Sequence, residues 1–433
     1  MDIARDSIRT FLSRVFSLCA GGALSVLIAR WLGPEGQGLY SLAATAATVA
    51  AVVVNCGFGL SNVYFLGKKR FTPDEIASSS VGFALLAGAV GFAVAAVVGV
   101  WLDVPGLSGV PRSALILALT GIPFYNLSEY FFYYLIGSDR ITHFNVASAS
   151  RNAIQLLFVL VFAASGWLGL GTAVFSWVIG FAGAAGLGIL YSRRFASVGV
   201  SLRPDLVRAA VSFGTKGYLS RIASFLYYRV DMFILSYFLG PAAVGQYAVA
   251  VLLAELLWNI PSSIAPSVMY KSASDESSDR DRLTASACRH TILACTVCAG
   301  LIALLARPLI GAAFGRAYLG SVTPLLVLLP GTAFLSLGGI LANDFVGRGK
   351  QLTNSVAALI TLAINVPLNF ILIPVWGIPG AAAASTFSYC VGVVVMVVRF
   401  LRITKMKPGQ ILLPRAGDMK PYLRLAKSVL SRR

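Results

Sequence analysis

Charge is in short supply in this 433-residue chain: only 12% of positions are Asp, Glu, Lys or Arg, about half the share found in soluble domains. A chain so poor in charge cannot cover a water-facing surface, which excludes an ordinary soluble protein. Acid is scarcer than base, with 17 carboxylates against 35 basic residues, and the only histidines are His143 and His290. No metal constellation, nucleophile triad or phosphate-binding glycine loop occurs, and the acidic run DESSDRDR (275–282) reads as a solvated mixed-charge loop, so the chain reads as a non-enzyme with no metal and no cofactor. The six cysteines lie in or beside apolar segments. Cys295 and Cys298 form a C-x-x-C, but among aliphatic neighbours these are small packing residues rather than a redox or metal pair. Long polar connections are also lacking, so no extramembrane domain is expected.

What the chain does have is hydrophobic sequence, 57% of it, with a mean hydropathy of +0.80. Apolar runs recur at 17–29, 77–102, 153–175, 291–306, 321–342, 355–376 and 377–398. These approach or exceed the roughly 20 residues needed to cross a hydrocarbon core about 30 Å thick. Breaking the chain at turn and charge clusters predicts about twelve transmembrane helices, at 8–32, 37–66, 78–101, 112–136, 142–165, 170–192, 209–239, 242–270, 284–306, 321–346, 351–374 and 378–402. The first follows MDIARDSIRTFLSR with no small-residue cleavage pattern, and is expected to be retained rather than removed as a signal peptide. The fold class is therefore an all-α polytopic membrane protein.

Basic residues fix the expected orientation. With the N-terminus inside, 26 of the 35 basic residues fall in inner segments, and the positive-inside rule puts both termini in the cytoplasm. The net charge of +18 follows from this bias and from the basic tail at 403–433, so nucleic acid is not an expected partner. The tail reads equally as a solvated anchor or as a segment lying on anionic lipid.

The chain also repeats itself. At an offset of 207, LSRVFS (12–17) meets LSRIAS (219–224), and LGPEGQGLYSLA (32–43) meets LGPAAVGQYAVA (239–250). Gly33, Pro34, Gly38 and Tyr40 fall on Gly240, Pro241, Gly245 and Tyr247, Arg14 falls on Arg221, and Arg9 on Lys216. At an offset of 209, Asn145, Trp167 and Gly171 fall on Asn354, Trp376 and Gly380. An even number of spans separates equivalent positions, so the halves are parallel repeats, an arrangement in which transporters hold substrate between the halves. The expected domains are a six-helix bundle at 1–205, a second at 206–402 and the tail at 403–433.

The segments ARWLGPEGQGLYSLA (29–43) and NSVAALITLAINVPLNFILIPVWGIPGAAAAS (354–385) resemble the oligosaccharide flippases of the polysaccharide-transport family. These are the O-antigen (Wzx-type) branch of the superfamily that also holds the MATE antiporters and the lipid II flippase. The resemblance implies a MATE-like V of two bundles around a central cavity in a bacterial inner membrane. It implies export of an undecaprenyl-diphosphate-linked oligosaccharide from the cytoplasmic to the periplasmic leaflet, for lipopolysaccharide-type polysaccharide biosynthesis. The implied partners are that polyprenyl-linked substrate, membrane lipids, and a polysaccharide polymerase with other export components. Lipid II flippases carry two further C-terminal spans, which counts against that relative.

An ionised side chain at bilayer depth costs about 2.5–3.5 kcal/mol on insertion scales, which makes each one a functional candidate. The basic ones are Arg14, Arg221, Arg229, Arg151 and Lys216, candidates for binding the diphosphate or sugar. Arg14 and Arg221 stand out as repeat equivalents on helix faces with small or polar residues (Ser17, Gly21 and Ser25; Ser224 and Ser236). Snorkelling to the headgroups is the competing reading for these two and for Arg229. Lys216 lies where anchoring is the default, and Arg151 reads equally as a ligand or as half of a salt bridge. Among the acids, Asp231, Glu255 and Glu129 are ion-coupling candidates, with a structural ion pair favoured for Asp231. Asp344 is expected close to the inner surface and solvated, as is the mixed-charge run DESSDRDR (275–282). The aromatic run Phe124–Tyr134 suits sugar stacking but, covering every side of a helix, reads first as packing.

Three functions compete. A flippase needs a basic, wet cavity for a diphosphate. A MATE-like antiporter of small molecules needs an acidic one. A membrane enzyme acting on lipid-linked sugars needs an extramembrane catalytic segment, which the short connections do not provide.

Overall fold

The computed structural model describes residues 3–102, 104–274 and 278–412, without the side chains of 3–9, 11, 100, 101, 216, 217, 274 and 278. Regular structure among the described residues is helical throughout. The chain forms two compact units: unit 1 is Met1–Ala248 with Ala312–Tyr318, and unit 2 is Val249–Gly311 with Leu319–Arg433.

Unit 1 holds α1 (Ile3–Asn55), α2 (Phe58–Lys68), α3 (Pro73–Ala96), α4 (Arg112–Leu119), α5 (Gly121–Gly137), α6 (Ile141–Ala164), α7 (Leu170–Ser192), α8 (Pro204–Leu239) and the first half of α9 (Pro241–Glu255). Unit 2 holds the rest of α9, then α10 (Asn259–Ser274), most of α11 (Ser278–Ala313), α12 (Val322–Gly347), α13 (Leu352–Trp376), α14 (Ile378–Thr404) and the short α15 (Gly409–Leu412).

Ten segments among the described residues are long and apolar enough to cross a membrane. The difference from about twelve has two local causes. Leu12–Asn55 is one segment of 44 residues, about twice the length a single crossing needs, and it takes in most of both of the first two expected spans. The fourth expected span is broken at Thr120 into α4, 8 residues, and α5, 17 residues, each too short to qualify alone.

The sequence repeat has a structural counterpart inside unit 1. α1 is bent at Gly33, with φ 67° and ψ −179°, and α8 ends at Gly240, with φ 79° and ψ 177°. Both glycines precede a proline, and both adopt a backbone conformation essentially closed to residues with a Cβ. Five residues on, the equivalents pack against each other. A Cβ on Gly38 would lie 1.8 Å from the Pro241 carbonyl oxygen, and one on Gly245 would lie 1.9 Å from that of Pro34. This reciprocal contact is a local two-fold relation between equivalent turns.

The core of unit 1 gathers around α5. Phe58, Phe65, Ile76, Tyr130, Phe131 and Tyr134 are fully buried together, with Phe58 stacked on Phe83 at 4.6 Å. Most of the aromatic run is thus packing, as read from sequence. α3 opens with a capping box between Thr72 and Glu75, and Arg203 ties the start of α8 to that corner through Glu75 and Asp205.

In unit 2, Asn365 on α13 donates to Ser388 at 3.2 Å, and Asn369 donates to the Asn365 side chain at 3.0 Å. This polar ladder gives the buried amides partners they would lack in lipid. Trp167 and Trp376, equivalent in the repeat, are both exposed at helix ends, as interface anchors are.

Two sequence expectations are corrected here. Asp344 is not solvated: it is fully buried, and receives hydrogen bonds from Ser272 at 2.6 Å and Thr284 at 2.9 Å and an ion pair from Arg348 at 2.6 Å. The acidic run at 275–282 is helical from Ser278, and Asp281 pairs with Arg348 at 2.6 Å rather than standing in solvent. Of the basic tail only 403–412 is described, where Ile411 packs into the unit 2 core; the rest of the tail lies outside the described residues.

Candidate functional site

Three of the eight candidate residues come together in unit 1, and α5 organises them. Tyr125, Glu129 and Tyr133 recur at intervals of four, so they form a stripe on one helix face. Arg221, 17 residues into the 36-residue α8, reaches that stripe. Its Nη2 donates to Glu129 Oε2 at 2.8 Å and its Nη1 to the Tyr133 hydroxyl at 2.9 Å. The guanidinium lies 5.9 Å from the centre of the Tyr218 ring, and Tyr125 is within its electrostatic reach.

On the far side of Tyr125 the cluster continues. Its ring meets Phe181 at 5.1 Å, and the Arg151 guanidinium sits 5.1 Å from the Phe181 centroid. Arg151 donates from Nε to Asn152 Oδ1 at 3.2 Å and has no carboxylate partner among the described residues. Two guanidinium groups and one carboxylate thus line a chain of aromatic rings.

Exposure sets the chemistry of this cluster. The Arg221 side chain is 42% exposed and that of Glu129 22%. A fork held by one carboxylate oxygen and one phenol, and still half open, keeps N–H donors free for a second anion. A sealed ion pair could not offer them.

The other candidates lie elsewhere. Arg14 is exposed, with no ion pair among the described residues, one turn before Ser17. The Ser17 carbonyl accepts from Asn152 at 3.0 Å, and Gly21 lies close to the same amide. The small-residue stripe of α1 therefore packs on α6 beside Arg151. Arg229 is half-buried and donates to its neighbour's carbonyl at Tyr228. Asp231 is buried and accepts from the Tyr247 hydroxyl at 2.6 Å. The repeat equivalent of that tyrosine, Tyr40, instead accepts from Gln155 at 2.8 Å. Glu255 is the last residue of α9, half-buried in unit 2. The Lys216 side chain lies outside the described residues.

Sequence reading placed Tyr125 and Tyr133 in a run that suits sugar stacking but did not pair them with Arg221, and it missed Tyr218, although the interval of four through Tyr125, Glu129 and Tyr133 was there to find. The dense run around them concealed it.

Residues 3–270 match the family model described as polysaccharide biosynthesis protein. The chain belongs to that family. Over 414 residues it is 25% identical to the "Probable low-salt glycan biosynthesis flippase Agl15" of Haloferax volcanii, covering 91% of this chain and 82% of that one. It is also 26% identical over 202 residues to an uncharacterized membrane protein of Methanocaldococcus jannaschii, covering 45% of this chain and 40% of that one. Among solved structures, an inward-facing multidrug resistance MATE transporter matches with a TM-score of 0.77 at 12% identity, covering 90% of this chain and 94% of that one. The lipid II flippase MurJ in an inward closed conformation also matches at 0.77, with 15% identity, covering 93% and 90%. At those identities the likeness is one of fold. This family member is thus a multi-pass membrane protein with the fold shared by MATE transporters and MurJ, and its kinship is with transporters rather than with enzymes.

Proposed function

We propose that the chain flips a polyprenyl-diphosphate-linked oligosaccharide from the membrane face that carries its basic connections to the opposite face. Undecaprenyl is the carrier that the family resemblance suggests, and the bacterial inner membrane the setting. The relative named as a glycan biosynthesis flippase supports the direction of this reading. The observation that carries it is the half-open guanidinium of Arg221, near the start of the apolar span Tyr218–Leu239 of α8. A diphosphate brings several anionic oxygens to a planar fork that matches them two at a time. The half-buried rings of Tyr125 and Tyr133 offer faces and hydroxyls to the first sugars, while the buried Tyr218 backs the guanidinium.

Glu129 gives the cycle a second state. With no substrate it neutralises Arg221, and an arriving diphosphate competes with it for the same donors. Protonation of Glu129 removes the competitor, which makes it the best-placed of the coupling candidates. Arg151, on the same aromatic chain, adds attraction for the anion, and Arg14 serves as the repeat equivalent of Arg221.

The test is export of lipid-linked glycan in reconstituted vesicles, read by a membrane-impermeant lectin. Arg221→Ala abolishes export at unchanged protein level, and Arg221→Lys, which keeps charge without the fork, retains part of it. Glu129→Gln keeps export but loses its dependence on a pH gradient. Normal export by the Arg14→Ala, Arg221→Ala double variant overturns the reading.

A further inference from the structure

Away from the Arg221 cluster, unit 1 has a second polar cavity at its basic end, of about 470 Å³, between the end of α2 and the start of α8. That volume falls within the range of about 300–1,000 Å³ typical of small-ligand sites. We propose that this groove is a binding site for a glycosyl phosphate, with the phosphoryl group on Arg70 and Arg208 and the sugar ring against Tyr64 and Phe213.

The anion half rests on two guanidinium groups. α2 ends at Lys69 in the left-handed conformation, φ 51°, and the turned chain carries Arg70 over the rings of Phe65 and Phe71 at 5.7 and 5.5 Å. Arg208 lines the groove from the first turns of α8. Both are exposed, and neither has a carboxylate partner among the described residues. The carboxylate in the lining, Asp205, is held by the Arg203 fork at 2.8 Å, so it is turned to another cation. Ser212 adds a hydroxyl to the rim.

The sugar half rests on the aromatic pair. Tyr64 and Phe213 stack at 4.4 Å with 19° between their planes, yet both remain more than a third exposed. A stacked pair of rings left open beside two cations offers an apolar platform next to an anion site. The negative ring face attracts the C–H face of a pyranose, as it attracts any edge carrying partial positive charge. Guanidinium groups beside it select a sugar that bears phosphate.

The same chemistry comes either free in solution or carried on a lipid, and the groove lies at a helix end where both are within reach. Binding is measured by calorimetry on the purified full-length chain, with inorganic phosphate, glucose 1-phosphate and glucosyl-phosphoryl-farnesol as probes. Glucose 1-phosphate is expected to bind at least tenfold more tightly than inorganic phosphate. Arg70→Gln with Arg208→Gln weakens both by tenfold or more, and Tyr64→Leu brings glucose 1-phosphate down to the level of phosphate. Unchanged affinity in the double arginine variant, or no effect of Tyr64→Leu, overturns the assignment. A tenfold gain from the farnesyl chain identifies a lipid-carried ligand, and equal affinity identifies a soluble one. The readout is binding rather than export, so this site and the Arg221 reading stand or fall separately.

Discussion

Arg221 in unit 1 and Arg348 in unit 2 each meet a carboxylate on a neighbouring helix, at 2.8 and 2.6 Å, yet they sit in opposite surroundings. Arg348 is 3% exposed and bonds both Asp344, which is 0% exposed, and Asp281. Phe400 covers it from α14 at 5.3 Å. Its Nε and Nη2 both donate to internal carboxylates, and Asp344 has three donors of its own. Arg221 has one carboxylate, one phenol and open space. Sealing a charge pair demands internal partners because nothing else can solvate it. The same two residue types therefore close a buried network in unit 2 and leave a guanidinium partly open in unit 1.

The comparison breaks most readily on the sealed side. Asp344→Ala should destabilise the protein by about 3–5 kcal/mol, because it removes one side of a buried ion pair and the shared acceptor of Ser272 and Thr284, and denaturant unfolding in detergent measures it. Replacing the pair together, Arg348→Met with Asp344→Leu, should restore part of that loss, since apolar residues substitute for buried pairs at little cost while Asp281, Ser272 and Thr284 still lose their partners. If the double variant is as unstable as the single one, the network does more than neutralise itself. On the open side, Arg221→Ala should change stability by no more than about 1 kcal/mol, the range for exposed pairs, while export is lost. A large drop in stability there would erase the contrast.

The smallest effect belongs to the corner outside the membrane. Hydrogen bonding from Arg203 holds the Asp205 carboxyl below the usual carboxylate range. A group whose pKa is depressed on folding contributes stability above its unfolded value, near 3.9, and loses it as pH falls through the folded one. Arg203→Ala should flatten that acid limb slightly, visible as a smaller spread of melting temperature between about pH 5 and pH 3.

Much of this was legible in the chain. Scarce charge and repeated apolar runs dictate a helical membrane protein, because only helices and closed barrels satisfy their own backbone in lipid. Gly33 and Gly240 announced equivalent turns, and the structure gives them nearly the same backbone angles. The site was half legible: Arg221, Glu129 and Arg151 were each singled out as a charge in an apolar span. That Glu129 would answer Arg221 was not readable, since 92 residues separate them and helical periodicity says nothing about partners on another helix. Asp344 was misjudged for the same reason. Its position near a helix end suggested water; Arg348, four residues on, was readable from spacing, but Ser272 and Thr284 arrive only when α10 and α11 pack beside α12.

The sequence by itself determined the solvent of this protein, the approximate positions of its apolar spans, and the duplication of its turns, because these follow from local composition and from residues that few backbone conformations accept. Tertiary structure alone decided which charges are spent on holding helices together and which remain available. A lone arginine carries the same charge wherever it stands. What it can bind depends on how many of its five donors are already satisfied, and those acceptors come from helices far away in the chain.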